Sequence, residues 1–205
     1  MKITYFGHSC FRFDEDGYKL VIDPFKDVDG YNDVKTSADM VLVSHDHFDH
    51  NAVSGVKRKV SGKENPFNIT MMQTFHDENM GQDRGKNLVH IISVKDKTYV
   101  HLGDLGHVLN DKQASYIKNC YCLMIPIGGT YTVDIEKAWQ IIEKVNPQIV
   151  IPMHYKNGKY GFSVLENLSD FLVKSKRKIA VTTNSEFFEL PDGDNMIVVP
   201  AVFEG

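Results

Sequence analysis

Residues 41–53 read VLVSHDHFDHNAV, an apolar run that stops at three histidines and two aspartates packed between His45 and His50. On an extended segment His45 and His47 share one face, because two residues make one pleat period, while Asp49 and His50 fall in the turn beyond and reach a second point. Borderline cations such as zinc accept neutral imidazole nitrogen and carboxylate oxygen, and a catalytic site keeps one position open for water. Burying three unliganded histidines beside two aspartates would be costly. The spacing therefore predicts a metal centre at the end of a core strand, with two imidazoles directed at one cation and a carboxylate plus an imidazole at another.

Two cations need more donors than this stretch supplies. The chain has nine histidines, and several polar residues sit where an apolar run gives out. Asp23 follows LVI, His76 closes ITMMQTF and precedes Asp77, Asp104 ends TYVHLG, and His154 follows VIPM. Strand ends are where ligands gather in layered α/β folds.

The rest of the chain supports a fold of that kind. Strand-like runs recur at 3–6, 10–13, 20–22, 40–44, 68–75, 88–94 and 98–102, with hairpin turns at Asp16-Gly17 and at 95–97, so sequence neighbours in the first half should pair antiparallel. After Asp104 helices take turns with strands. A short helix is expected over 111–119, a strand over 121–127, a helix capped by Thr132 or Asp134 and running to Val145, and a strand over 148–153. Ser163 with Glu166 predicts a capping box for a helix to about residue 175, and strands over 179–182 and 196–199 close the chain. No linker, low-complexity tract or short repeat interrupts it, so 1–205 reads as one α/β domain.

Composition excludes several classes. A chain of 205 residues, 42% hydrophobic and 24% charged, suits one globular domain. Its net charge of -4 argues against a nucleic-acid binder with a general basic surface. The basic run Lys57-Arg58-Lys59 is short enough for a solvated edge. There is no apolar core of about 7 to 15 residues near the start and no run of about 18 apolar residues, so a soluble, cytoplasmic protein with no membrane partner is expected. Cys10, Cys120 and Cys122 are too few for a disulfide framework and read as buried thiols. If Cys120 and Cys122 both lie on a strand, they share one of its faces.

The motif His45-Asp46-His47-Phe48-Asp49-His50, together with Asp23, His76, Asp104 and His154 in that order, resembles the metallo-β-lactamase-fold hydrolases over the whole chain. GHS at 7–9, TFHD at 74–77, HLGDLGH at 101–107 and PIGGTYT at 126–132 are similar to a branch of small hydrolases related to ascorbate-6-phosphate lactonase. TFHD stands where the superfamily more often has a proline-glycine-histidine run. The resemblance implies a four-layer αβ/βα sandwich and a binuclear centre, with zinc expected and manganese or iron as substitutes. It implies that His45, His47 and His76 hold one metal, that Asp49, His50 and His154 hold the second, and that Asp104 bridges them. Asp49 and Asp104 would be the catalytic carboxylates. Asp23 is expected to hydrogen-bond a ligand histidine. His8, His107, Thr130 and Tyr131 are candidates for contacts behind the ligands or with substrate, against ordinary capping or core roles. His90 and His101, inside strands, read as structural.

Such a centre predicts hydrolysis by a hydroxide bridging two metals, because a cation lowers the pKa of bound water from about 15.7 towards 7. Gly-rich 81–85 and 128–131 could shape a pocket, and Arg84 could meet an anion or simply a neighbouring carboxylate. A short acidic chain favours a small ester, lactone or phosphoester over RNA or DNA. Two rival readings stand beside this one. A flavo-diiron-like redox protein is disfavoured by His47 in place of glutamate and by the lack of a following flavin domain. A non-catalytic, metal-stabilised binding protein is disfavoured by the intact ligand set. The sequence leaves the substrate, the native metal and any homo-oligomer open.

Overall fold

In the computed structural model, which describes residues 1–205, side-chain alternation along the first strands decides what each face meets. Strands β1 (Lys2–Gly7), β2 (Cys10–Glu15) and β3 (Tyr18–Ile22) form an antiparallel meander. Ile3, Tyr5, Phe11, Phe13, Leu20 and Ile22 enter one core, whereas Phe6, Cys10 and Val21 enter another on the opposite face. After β4 (Thr36–Ala38), β5 (Met40–Leu42) joins β3 in parallel to give a four-stranded sheet ordered β1-β2-β3-β5. A 3-10 turn (Val53–Gly55) leads into β6 (Val56–Arg58), which pairs in parallel with β4 as a small ribbon. Neither β4 nor β6 was expected, and β5 departs from the antiparallel pattern of its neighbours.

The second sheet has seven strands. β7 (Asn68–Phe75), β8 (Lys86–Val94) and β9 (Lys97–His101) pair antiparallel, the last two through the turn expected at 95–97. β10 (Cys122–Pro126), β11 (Ile149–Met153), β12 (Lys178–Val181) and β13 (Met196–Val199) extend it in parallel, in the order β12-β13-β11-β10-β9-β8-β7. Parallel pairs need crossovers, and α1 (Asp111–Ile117), α2 (Ile135–Val145) and α3 (Leu168–Val173) lie in them. All three helices cover one face, where Ala114, Ile117, Ile141, Ile142 and Phe171 pack on Leu123, Ile125 and Val150. The other face meets the four-stranded sheet through Ile92, Met124 and Ile151 against Tyr5 and Phe13. Beyond that small sheet, Phe25, Val28 and Val34 of the loop after β3 and Val56 of the ribbon complete the outer layer.

Local chemistry accounts for the helix ends. Asn110 and Gln113 form a reciprocal capping box on α1, and Asp134, rather than Thr132, caps α2 by accepting from the Lys137 N–H at 2.8 Å. Ser163 and Glu166 form no capping box. Glu166 sits in an extended crossing, its N–H donating to Gly128 O and its carbonyl accepting from Lys156, and its carboxylate accepts the Ile135 N–H at the start of α2. Helix α3 therefore begins only after Asn167. Cys120 precedes β10 and packs on the helix side, whereas Cys122 points between the sheets, so the two do not share a strand face. All three thiols are free and buried.

This topology fixes one rim. β5, β7, β9 and β11 end at Leu42, Phe75, His101 and Met153, and each is followed within three residues by a member of the polar set. β7, β9 and β11 run in one direction through the large sheet, so His76, Asp104 and His154 emerge at the same edge.

Candidate metal centre

Around Asp104, which is buried, four imidazoles converge from three chain segments. His50 Nε2 lies 3.2 Å from Asp104 Oδ1, while His76 Nε2 at 3.3 Å, His154 Nε2 at 3.2 Å and His45 Nε2 at 3.9 Å surround Oδ2. His47 completes one side, its ring 4.6 Å from that of His45 and 5.2 Å from that of His76. On the other side Asp49 Oδ2 is 3.9 Å from His50 Nε2 and 3.2 Å from His8 Nε2. Donor atoms fall into three groups, each within 4.8 Å: His45, His47 and His76; His8, Asp49, His50 and His154; and His45, His50 and Asp104.

Behind these atoms the chain fixes each ring. Asp23 Oδ1 accepts from the Ser44 N–H at 2.7 Å, and Oδ2 accepts both from Ser44 Oγ at 2.6 Å and from His50 Nδ1 at 3.0 Å. With its proton given to Asp23, Ser44 Oγ accepts from His45 Nδ1–H at 2.9 Å. With Nδ1 held from behind in this way, both imidazoles can present an Nε2 lone pair to a cation, which would take the place of the proton that Asp104 and Asp23 favour on His50. Asn87 holds the third element: its Oδ1 accepts the Asp104 N–H at 2.9 Å and its amide donates to Thr74 Oγ1 and Leu102 O. Gly103, at φ +57°, passes so close that a Cβ there would lie 2.3 Å from Asn87 Oδ1 and 2.6 Å from Ser44 Cβ.

Electrostatics follows from this packing. Burial, reinforced by His50, pushes His45 down to about 3, so it is neutral at physiological pH. Burial would raise the Asp104 carboxyl, but His154 and His50 outweigh it and hold the group well below the usual carboxylate range. His8 does the same for Asp49, and His50 for Asp23.

The fit to a metal rests on atoms that nothing satisfies. His45 Nε2, His50 Nε2, His154 Nε2 and Asp104 Oδ1 are buried and make no hydrogen bond. Buried polar atoms in native proteins are normally paired, and four orphans facing one point form a donor set of the borderline kind that suits zinc.

Other candidates distribute unevenly. His8 joins the centre from a strained backbone at φ 52°, its carbonyl accepting from the His154 N–H. Tyr131 lines a cleft of about 550 Å³ over the centre together with His47, Phe48, Asp49, His76, Arg84, Asp104 and Phe162. Thr130 turns away, its hydroxyl donating to Val164 O at 2.6 Å. His107 is taken up by backbone, accepting from the Phe75 N–H and donating to Val108 O. Ser44, Asn87, Phe48 and Phe162 were not singled out from sequence. Only Ser44 and Phe48, inside the opening stretch, carried a signal by position.

A beta-lactamase superfamily domain matches residues 2–154. The chain belongs to that superfamily. It is a metal-dependent hydrolase of the metallo-β-lactamase type, and the matched stretch begins with the first residue of β1 and ends on His154, so it contains every donor of the centre. A metal-dependent hydrolase of Carboxydothermus hydrogenoformans is 29% identical over 191 residues, spanning 76% of this chain and 84% of the relative. A Pyrococcus furiosus protein of the same family as that relative is 28% identical over 198 residues, spanning 86% of this chain and 92% of the relative. Among solved structures, a candidate zinc-dependent hydrolase of the metallo-β-lactamase superfamily from Thermotoga maritima superposes with a TM-score of 0.72 at 31% identity, covering 97% of this chain and 98% of that one. Within the superfamily fold, residues 155–205 add α3, β12, β13 and the cleft residue Phe162. No helix is long and apolar enough to cross a membrane.

Proposed function

We propose that the protein is a zinc hydrolase of small esters, lactones or phosphoesters, with two cations held side by side. His45, His47 and His76 would hold one, Asp49, His50 and His154 the other, and Asp104 would stand between them. The single observation that carries this reading is the set of orphaned donor atoms around Asp104.

Bound cations would supply an activated water near neutral pH and would polarise the carbonyl or phosphoryl oxygen of the substrate. The chain's own residues do the rest. Asp49, which keeps its charge through His8, would accept a hydrogen bond from the attacking water and orient it. Asp23 and Ser44 hold His50 and His45 in the ligating tautomer throughout. Phe48, Tyr131 and Phe162 line the cleft with rings that would pack against the apolar part of a substrate. A volume of about 550 Å³ suits a small molecule, and an acidic chain offers no broad surface for nucleic acid.

Elemental analysis of purified protein, followed by assays of zinc-loaded protein on lactones, carboxyl esters, thioesters, phosphomonoesters and phosphodiesters, tests the proposal. About two zinc ions per chain and turnover in one of these panels is the expected result. Protein that takes up no metal ends the proposal, and stoichiometric iron with an oxygen-dependent reaction transfers the site to redox chemistry.

A further inference from the structure

The cleft over the centre has nine lining residues, and Arg84 is the one cation among them. A cation beside a metal site is informative only if something fixes it there and nothing neutralises it. Both conditions hold for Arg84.

Placement comes from the residue after the candidate ligand His76. Asp77 turns its carboxylate into the loop that joins β7 to β8: Oδ1 accepts the N–H groups of Asn79 and Gly81, each at 2.8 Å, and Oδ2 accepts those of Asp83 at 3.1 Å and Arg84 at 2.8 Å. The loop closes on itself through Gly85 N–H to Gly81 O and His76 N–H to Gly85 O. Met80, Gly81 and Gly85 adopt positive φ to make this turn. One carboxylate thus ties the backbone of Arg84 to the backbone of His76, and the exposed side chain leaves that anchored backbone along the rim of the cleft. Its side chain lies over the Tyr131 ring, 5.7 Å from the centroid, on the opposite wall of the cleft.

Arg84 pairs with no carboxylate, whereas its neighbour Lys137 is taken by Glu78 at 2.8 Å and Asp134 at 3.5 Å. Asp46, the other charged lining residue outside the donor set, accepts from Asn51 Nδ2 instead. A planar guanidinium with a free fork, within cation–π range of an aromatic ring, matches the planar, bidentate geometry of a carboxylate.

We propose that Arg84 recognises a carboxylate on the substrate, so that the molecule hydrolysed is a small ester or lactone with its anionic end at Arg84 and an apolar body against Phe48, Tyr131 and Phe162. This rests on the hydrolase reading above and names its substrate class. Asp77 is the positioning residue for Arg84.

Zinc-loaded wild type and Arg84→Gln are compared on mono-4-nitrophenyl glutarate and the neutral 4-nitrophenyl pentanoate. Wild type should prefer the anionic ester by about tenfold in kcat/KM, and Arg84→Gln should bring that ratio close to one, while Arg84→Lys keeps part of it. An unchanged ratio in Arg84→Gln, including a parallel fall on both esters, overturns the assignment. If wild type turns over neither ester, the acyclic-ester part of the proposed function is what suffers, and calorimetric titration of monomethyl glutarate into the same zinc-loaded proteins decides the inference separately. Binding about tenfold weaker in Arg84→Gln supports it. Equal binding, or none to wild type, overturns it, and methyl phosphate binding more tightly than monomethyl glutarate replaces the carboxylate with a phosphate.

Discussion

Two sets of buried histidines differ in what their ring nitrogens meet. His45, His50, His76 and His154 follow strands β5, β7 and β11 and aim Nε2 at Asp104. His90 in β8 and His101 in β9 are equally buried and face each other across the sheet, 6.4 Å between ring centroids. His101 is fully employed, Nε2–H donating to Ser9 O at 2.8 Å and Nδ1 accepting the Gly103 N–H at 3.1 Å. Neither ring nitrogen of His90 has a hydrogen-bond partner, and the ring forms no ion pair with a carboxylate. Burial therefore does not mark a ligand. Orphaned nitrogens that share one carboxylate do.

The strongest way to break this contrast is to remove the carboxylate. Asp104→Ala should lower kcat/KM by on the order of a thousandfold or more and reduce bound metal, with far-UV circular dichroism unchanged. A variant that keeps full metal and turnover would mean that the four imidazoles do not converge for chemistry.

Next in size is an effect on the strand histidines alone. Burial pushes His90 down to about 4, with Asp23 pulling weakly the other way. The unfolded chain takes up a proton near pH 6.5 that the folded one refuses until about 4, so His90 costs stability as pH falls through that window. At 1.36 kcal/mol per unit, His90→Leu should gain on wild type by roughly 3 kcal/mol between pH 7 and pH 4, measured by urea unfolding. Parallel pH profiles would show that His90 finds a partner the structure does not reveal.

Asp23 sharpens the comparison from the other side, because it touches no cation in the proposed arrangement and acts only through His50 and Ser44. Asp23→Asn should weaken zinc binding by about 10- to 100-fold, read by competition with a chromophoric chelator. Unchanged affinity would leave the tautomer argument without support.

Legibility from sequence tracked the range of the interactions involved. The polar stretch at 45–50 and the strand-end positions of His76, Asp104 and His154 were readable because an apolar run that stops at a ligand-type residue is a local signal. Short apolar runs separated by turn signals likewise located β1 to β3 and β7 to β9. What was not legible depends on distant partners. β4 and β6 are three residues each and exist because they pair with one another across a loop. Glu166 looks like a capping residue in sequence, yet its carboxylate serves α2, some thirty positions away. Asn87 has no motif, and its importance lies in reaching Asp104, Thr74 and Leu102 at once. His8 sits in a turn whose relation to Asp49 spans 41 positions.

The smallest expected effect is the most discriminating control. His101 lies 4.0 Å from Asp23 and next to the backbone leading to Asp104, so proximity alone would make it part of the centre. Its hydrogen bonds say otherwise, since both nitrogens are spent on main-chain groups that join the first hairpin to the β9 turn. His101→Gln can replace only one of those bonds and should cost about 1 kcal/mol of stability. Zinc content and the substrate preference should stay at wild-type values, because Asp23 keeps its bonds to Ser44 and His50. Loss of metal in this variant would extend the centre into the strand interior and erase the distinction between histidines that ligate and histidines that hold the sheets together.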